Sequence, residues 1–456
     1  MPTISTEDLW KKWMGALQAL AFPNGIGDGQ QFSAAPTTLN VDLANSDPGV
    51  SNYNIYQIGN VVPANSPAYA PAGGLVTSYA TFLDWVQLQG DVNPNLQSQI
   101  NLAAGNLTTA ENNFLTVQTN AFTAWANFKT ASGSSVAFST WAVQNYPVYQ
   151  SAYNALIGAQ SSYSQLLNQA YGPGYSELQA ARNKVGVQGG AADITLQNPY
   201  NMVADLVTIA PPGSGSSPVL PGQTPPPSPQ TLVSTFVPSY TLEAFGAKYS
   251  EWQTASVQGK NNAGGTITVT AASETFDYSE FGWNASVDAS WLGDFFEIGG
   301  SGSSSGQRVS INTTSSNFSL SVAFTGFGVF SISPGLWWDN ASLIDLYKNS
   351  LRTGAPDFFG PTGALARLPY SIVVGFEPTI TLKMEASDYS NVKNTWQAQA
   401  SVSIGVGPFT LGSASVSTYG TKQNIKWDDA SATVTIGPVT STLPILLGVM
   451  SQQLGS

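Results

Sequence analysis

Histidine and cysteine are both absent from this sequence, and only 9 % of its 456 residues are charged. Without imidazole there is no Ser-His or Cys-His nucleophile pair and no side chain whose ordinary titration falls near neutrality. Without thiols there is no disulfide, no thiolate and no zinc site of the common nitrogen/sulfur type. A run of 18 apolar residues is missing too, which excludes an ordinary transmembrane helix. Basic residues number 15 against 27 acidic ones, a net charge of −12. Such a surface repels phosphates, and no Lys/Arg cluster offsets it, so nucleic acid is not an expected partner. Anionic lipid is disfavoured for the same reason, while neutral membranes and glycans remain open. The glycine-rich run Gly299-Gly300-Ser301-Gly302 precedes no Gly-Lys-Ser/Thr, and no cofactor is expected.

Core material is plentiful, with 12 Trp, 18 Tyr and 21 Phe, so the chain should fold rather than stay disordered. Its surface must then be covered by Ser, Thr, Asn, Gln and Gly, as in many extracellular and self-assembling proteins. The segment Thr6-Glu7-Asp8-Leu9-Trp10 has acids where a signal peptide wants bases. It reads as an amphipathic helix capped by Ser5 or Thr6, with Leu9, Trp13, Leu17 and Leu20 on one face. An extracellular location would therefore need a route without a recognisable signal peptide.

The strongest periodicity lies between residues 96 and 171. Leu96, Ile100, Ala103, Leu107, Ala110, Phe114, Val117, Ala121, Ala124 and Phe128 step by four and three, which predicts one long helix. Ser132-Gly133 ends it. A second stripe runs Phe138, Ala142, Asn145, Tyr149, Ala152, Leu156, Ala159, Tyr163, Leu166 and Ala170, and Pro147 should kink that helix or delay its start. So short a turn predicts an antiparallel hairpin, closed by Gly172-Pro173-Gly174. Only Glu111 and Lys129 are charged in this stretch, whereas a solvated helix pair normally carries several Glu/Lys partners. The hairpin is expected either to pack against the rest of the chain or to associate with copies of itself or with lipid.

Residues 21–75 show no lasting period and read as loops, followed by a short helix near 76–89. Residues 211–229 hold eight prolines and read as an extended linker. Beyond it the period becomes two: Ile267/Val269, Ala285/Val287/Trp291, Phe318/Leu320/Val322/Phe324, Ile380/Leu382/Met384, Val402/Ile404/Val406 and Val434/Ile436 alternate with polar residues. The expected architecture is an α+β multidomain chain. It has a mainly helical domain over 1–210, a Pro-rich linker over 211–229, and an antiparallel β-sandwich or barrel-like domain over 230–456.

Carboxylates are the only acid/base groups left, near Glu274/Asp277/Glu280, Asp288/Asp294/Glu297 and Asp428/Asp429, and their plain reading is solvated loop acids. No metal site is expected. Trp283, Trp337 and Trp338 are candidate sugar platforms. The two alternating strands 284–291 and 318–325 are either sandwich strands or a membrane-inserting hairpin, because lipid-facing strands share the pattern. The combination of helical hairpin and Ser/Thr-rich strands has a broad architectural likeness to membrane-active toxins. The leading expectation is a non-enzymatic, homo-oligomeric protein, pore-forming or membrane-active. Its contact residues would be drawn from Phe114, Phe128, Tyr149, Tyr163, Trp291, Phe318, Leu320, Val322 and Phe324. A filament or coat protein, and a carbohydrate-binding or carbohydrate-active protein, are the alternatives.

Overall fold

A computed structural model describes residues 5–87, 93–132, 136–171, 173–186, 198–209, 230–260, 264–275, 278–282, 294–300, 311–339, 342–398, 402–412, 425–438 and 443–455. The Pro-rich segment 211–229, the strand expected at 284–291, Trp283 and Trp291 lie outside them. Mixed helix and a large antiparallel sheet bear out the α+β class.

The chain opens with α1 (Thr6–Ala21), whose first turn is closed by the Ser5 hydroxyl accepting from the Asp8 amide at 3.0 Å. Then follow β1 (Gln30–Asn40), α2 (Pro48–Gly59), the short pair β2 (Val62–Pro63) and β3 (Pro71–Gly73), and α3 (Leu75–Trp85). The helical segment is α4 (Pro94–Ser132), α5 (Phe138–Asn145), α6 (Pro147–Tyr171) and α7 (Pro173–Lys184). Pro147 and Pro173 each stand at the first helical position, where the missing N–H is not needed. Next come β4 (Asn201–Ile209), β5 (Gln230–Pro238), β6 (Tyr240–Leu242), α8 (Phe245–Val257), β7 (Gly265–Thr270), β8 (Phe296–Gly300) and β9 (Ser319–Pro334). The chain finishes with α9 (Ser342–Tyr347), β10 (Arg367–Lys383), α10 (Ala386–Ala398), β11 (Val402–Val406), β12 (Phe409–Gly412), β13 (Ile425–Asp428), β14 (Thr433–Ile436) and β15 (Ile445–Gln453).

Two long strands form the spine. β9 pairs β10 from Ser319↔Lys383 to Ser331↔Ser371. The far edge of β10 carries β15 and then β1 at one end, and β14 with β13 at the other. The far edge of β9 carries β6 and β7. Residues from both sides of 211–229 therefore build one sheet, because β1 is its edge strand on β15. The segment 211–229 joins β4 to β5, which pair from Asn201↔Pro238 to Ile209↔Gln230, so the boundary expected there is spanned by paired strands.

The sheet is buried on both faces. Val373, Ile445, Leu447 and Met450 join α1 residues Leu9, Trp10 and Trp13 and the small sheet β12-β11-β8 in one core. Ile372, Val374, Phe376, Leu446 and Val449 point the other way, into a core with Ile58, Phe245 and Trp252. Midway, Glu377 sits at φ +46° opposite Thr325, and the inward parity changes there in both strands. Phe376 faces the second core but Ile380 and Leu382 face the first; Phe330 faces the second but Leu320, Val322 and Phe324 face the first. A left-handed residue in one strand and the buried Thr325 across from it shift the alternation by one on each side. That shift lets a 17-residue strand keep apolar side chains inward along its whole length.

Candidate assembly surface

The helical hairpin forms much as its periodicity predicts. α4 starts at Pro94, with the Asn93 side chain accepting from the Leu96 amide at 2.9 Å. Its 39 residues span roughly 58 Å at about 1.5 Å per residue. Ile100, Ala103, Leu107 and Phe114 are buried, as the stripe requires, and Phe114 meets Tyr149 and Tyr153 of α6 at 5.4 and 5.6 Å between ring centroids. Further along, the buried positions are Gln118, Ala121 and Trp125, while Val117 and Ala124 are half-buried and Phe128 is exposed. A straight helix drifts by about 20° per heptad against a strict 3.5-residue repeat, so the contact line moves one residue on. Leu167 replaces Leu166 on α6 for the same reason.

The end of the hairpin near α5 rests on the β4–β5 ribbon. Phe122 and Phe138 contact Phe236 at 4.9 and 6.2 Å, and Lys129 lies 3.6 Å from the buried Asp205 carboxylate while standing over the Trp125 ring. Asp205 accepts from Ser234 and occupies the space that a side chain at Gly49 would need: a Cβ there would lie 2.0 Å from Oδ2. One of the hairpin's two charges is thus committed to an anchor.

The other is Glu111, half-buried one turn before Phe114, with Oε1 enclosed and without a hydrogen-bond partner among the described residues. Burial raises its carboxyl to about 7. The fully buried Gln118 lies one heptad further along the same line. Spacing from Leu107 and Phe114 marks both as near the contact line, but their polarity kept them out of an apolar stripe. A carboxyl raised in the folded state stabilises below its unfolded value near 4.5, and that stability is lost as pH rises through about 7. The expected outcome of Glu111→Gln is a hairpin more stable at pH 8 by about 1–2 kcal/mol, after discounting for solvent screening, and little changed at pH 4.5. Amide exchange across α4 at the two pH values checks this; equal protection in wild type and variant at pH 8 would refute it.

The outer surface has a distinctive chemistry. Six threonine hydroxyls of α4 (Thr108, Thr109, Thr116, Thr119, Thr123 and Thr130) donate to the carbonyl four residues back at 2.9–3.1 Å. Ser132 and Ser162 do the same. Gln97–Asn101 and Gln150–Asn154 pair at helical spacing where Glu/Lys pairs would ordinarily stand. Hydroxyls already bonded to their own backbone leave methyl groups outward, and removing water from such a face costs far less than from charged side chains. Leu102, Val143, Val148, Ile157 and Phe128 are exposed among them.

The other sequence candidates land elsewhere. Tyr163 is half-buried on α6, and Phe114 and Tyr149 lie inside the hairpin. Phe318, Leu320, Val322 and Phe324 are at most 1 % exposed, and Leu320, Val322 and Phe324 belong to a β9 flanked by β7 and β10, so they present no face to lipid in this structure. Trp337 and Trp338 are core residues: the Trp337 indole donates to the Ser239 carbonyl at 2.8 Å, and both rings pack on Tyr79. A sugar platform needs an open ring face, which neither offers. Asp428 is held by Ser431 and the Ala430 amide, and Asp429 by Lys393 and Tyr389; both are pushed below the usual carboxylate range and share no proton. Among the described residues, no three acids gather as a metal site would need, and no helix is long and apolar enough to cross a membrane.

No family model matches the chain, and no curated protein or solved structure is found to be similar to it. Function rests on the residues alone.

Proposed function

We propose that this is a non-enzymatic, self-associating protein in which the α4–α6 hairpin is the contact element. The observation that carries this reading is the nearly charge-free outer face of α4, about 58 Å long, whose threonine hydroxyls bond their own backbone. Copies packing through such a face bury threonine methyls and the exposed Leu102 and Ile157 without stranding hydroxyls. Contact with a neutral membrane surface is the second reading, favoured by the same apolar side chains, with the hairpin lying along the surface rather than spanning it.

The test places charge on the face without touching the hairpin's core. Thr116→Glu combined with Thr123→Glu substitutes two exposed positions. The wild-type chain is expected to form oligomers at micromolar concentration by light scattering, and the double variant to weaken them at least tenfold. Dye release from neutral phosphatidylcholine vesicles separates the two readings, since leakage lost in the same variant supports the membrane. A strict monomer causing no leakage would overturn both.

A further inference from the structure

A groove of about 250 Å³ opens where α6, α7 and residues 198–200 meet, on the flank of the hairpin away from α5. Its floor is apolar: Phe114 and Leu156 are 1 % and 2 % exposed, and Tyr153 and Tyr200 stand half-buried beside them. Gln160 on α6 and Asn183 on α7 also line it, with Ser161, Ser164 and Asn198. Neither the Gln160 nor the Asn183 carboxamide has a hydrogen-bond partner among the described residues. Every lining side chain among the described residues is uncharged.

We infer that this groove binds a single neutral sugar unit. Three physical arguments converge on that ligand class. Phosphate, carboxylate and ammonium groups need a charged partner to repay their desolvation, and the described lining offers none. A purely apolar ligand such as an acyl chain would bury Gln160 and Asn183 unsatisfied, at about 1–3 kcal/mol each. A pyranose supplies both halves at once: hydroxyls that donate and accept, matching carboxamides that donate and accept, and C–H faces that pack on electron-rich rings. The volume lies below the roughly 300–1,000 Å³ of drug-sized sites, which suits one ring and not an extended chain. The site does not rest on the assembly reading, although it shares Ile157 with the proposed contact face. It also differs from the tryptophans first considered, because Tyr153 of α6 and Tyr200 are only half-buried along it.

The experiment uses the full chain with glucose, galactose, N-acetylglucosamine, maltose and lactose as probes, by saturation-transfer NMR and calorimetry. Sialic acid serves as the anionic control and a fluorescent dodecyl probe as the apolar one. At least one neutral sugar is expected to bind, and Asn183→Leu and Gln160→Leu each to weaken it about tenfold with unchanged far-UV circular dichroism. Ile157→Trp, at an exposed lining position, is expected to block the groove without disturbing the fold. The assignment is overturned if no neutral sugar binds, if binding survives all three substitutions, or if only the anionic or dodecyl probe is retained.

Discussion

Arg182→Leu is expected to destabilise the protein by about 3–5 kcal/mol, one of its two most damaging point changes. Arg182 on α7 is 4 % exposed and spends its guanidinium on the end of another helix. Nε and Nη2 donate to the Leu83 carbonyl at 2.9 and 2.7 Å, Nη2 also reaches the Val86 carbonyl at 2.8 Å, and Nη1 reaches Gln179 at 3.3 Å. Those two carbonyls lie at the C-terminus of α3, which has no basic residue in its own last turn. Unpaired carbonyls and the negative end of the helix dipole converge there, and the arginine answers both. Leucine would fill part of the volume and leave two buried acceptors without donors. Burial lowers the guanidinium's pKa, with Tyr175 and Asp84 opposing that shift, yet it stays charged at neutrality. The melting temperature should fall by at least about 5 °C. Arg182→Lys, which keeps the charge and loses the fork, should fall between. An unchanged melting temperature in the leucine variant would show that α3 is capped by other means.

Legibility of this fold followed the kind of burial each segment has. The hairpin was readable because α4 and α6 are half-buried, which writes a period into the sequence: Leu107, Phe114 and Ala121 are inside, and their neighbours are Thr, Asn and Gln. Pro147 and Ser132 marked its breaks for local backbone reasons. β15 was not readable. Ile445-Leu446-Leu447-Gly448-Val449-Met450 is buried on both faces and shows no alternation, as expected of a strand between two cores. β1 contains a proline and a register shift between Ala34 and Leu39, so it looks like loop. The first part of β10 shows no alternation for the same reason as β15, since Ile372, Val373 and Val374 are buried in two cores on opposite faces, whereas Ile380 and Leu382 beyond Glu377 alternate and read as strand. The candidate surface was legible only by what is missing, namely charge between 94 and 171. Whether a threonine hydroxyl bonds its own backbone, and whether Trp337 faces a cavity or a core, depends on rotamers and neighbours that no spacing encodes.

The second large effect lies where Trp252 of α8 lies against β9. Its ring stacks on Phe376 at 6.3 Å and meets Phe330 edge-on at 5.8 Å, and it is 5 % exposed. The space beneath it exists only because β9 carries glycine: a Cβ at Gly326 would lie 2.2 Å from Trp252 Cγ and Cδ2, and one at Gly328 would lie 3.3 Å from Cζ2. The strand cannot retreat, because Gly264 packs so closely behind it that its own Cβ would come within 2.5 Å of the Gly326 backbone. Gly326→Ala should therefore push the indole out of the second core and cost about 3 kcal/mol, at the upper end of overpacking. Trp252→Ala should cost about 3–5 kcal/mol by leaving a cavity among Phe245, Phe330 and Phe376. The two losses should not add. With the indole gone, an alanine methyl at 326 enters the vacated space, so the second substitution costs little in the Trp252→Ala background. The coupling energy should reach about 2–3 kcal/mol by denaturant titration of the four proteins. Strict additivity would mean that Gly326 is glycine for a backbone reason unrelated to the tryptophan. A helix packed on a sheet through one indole and one absent side chain predicts the coupled result.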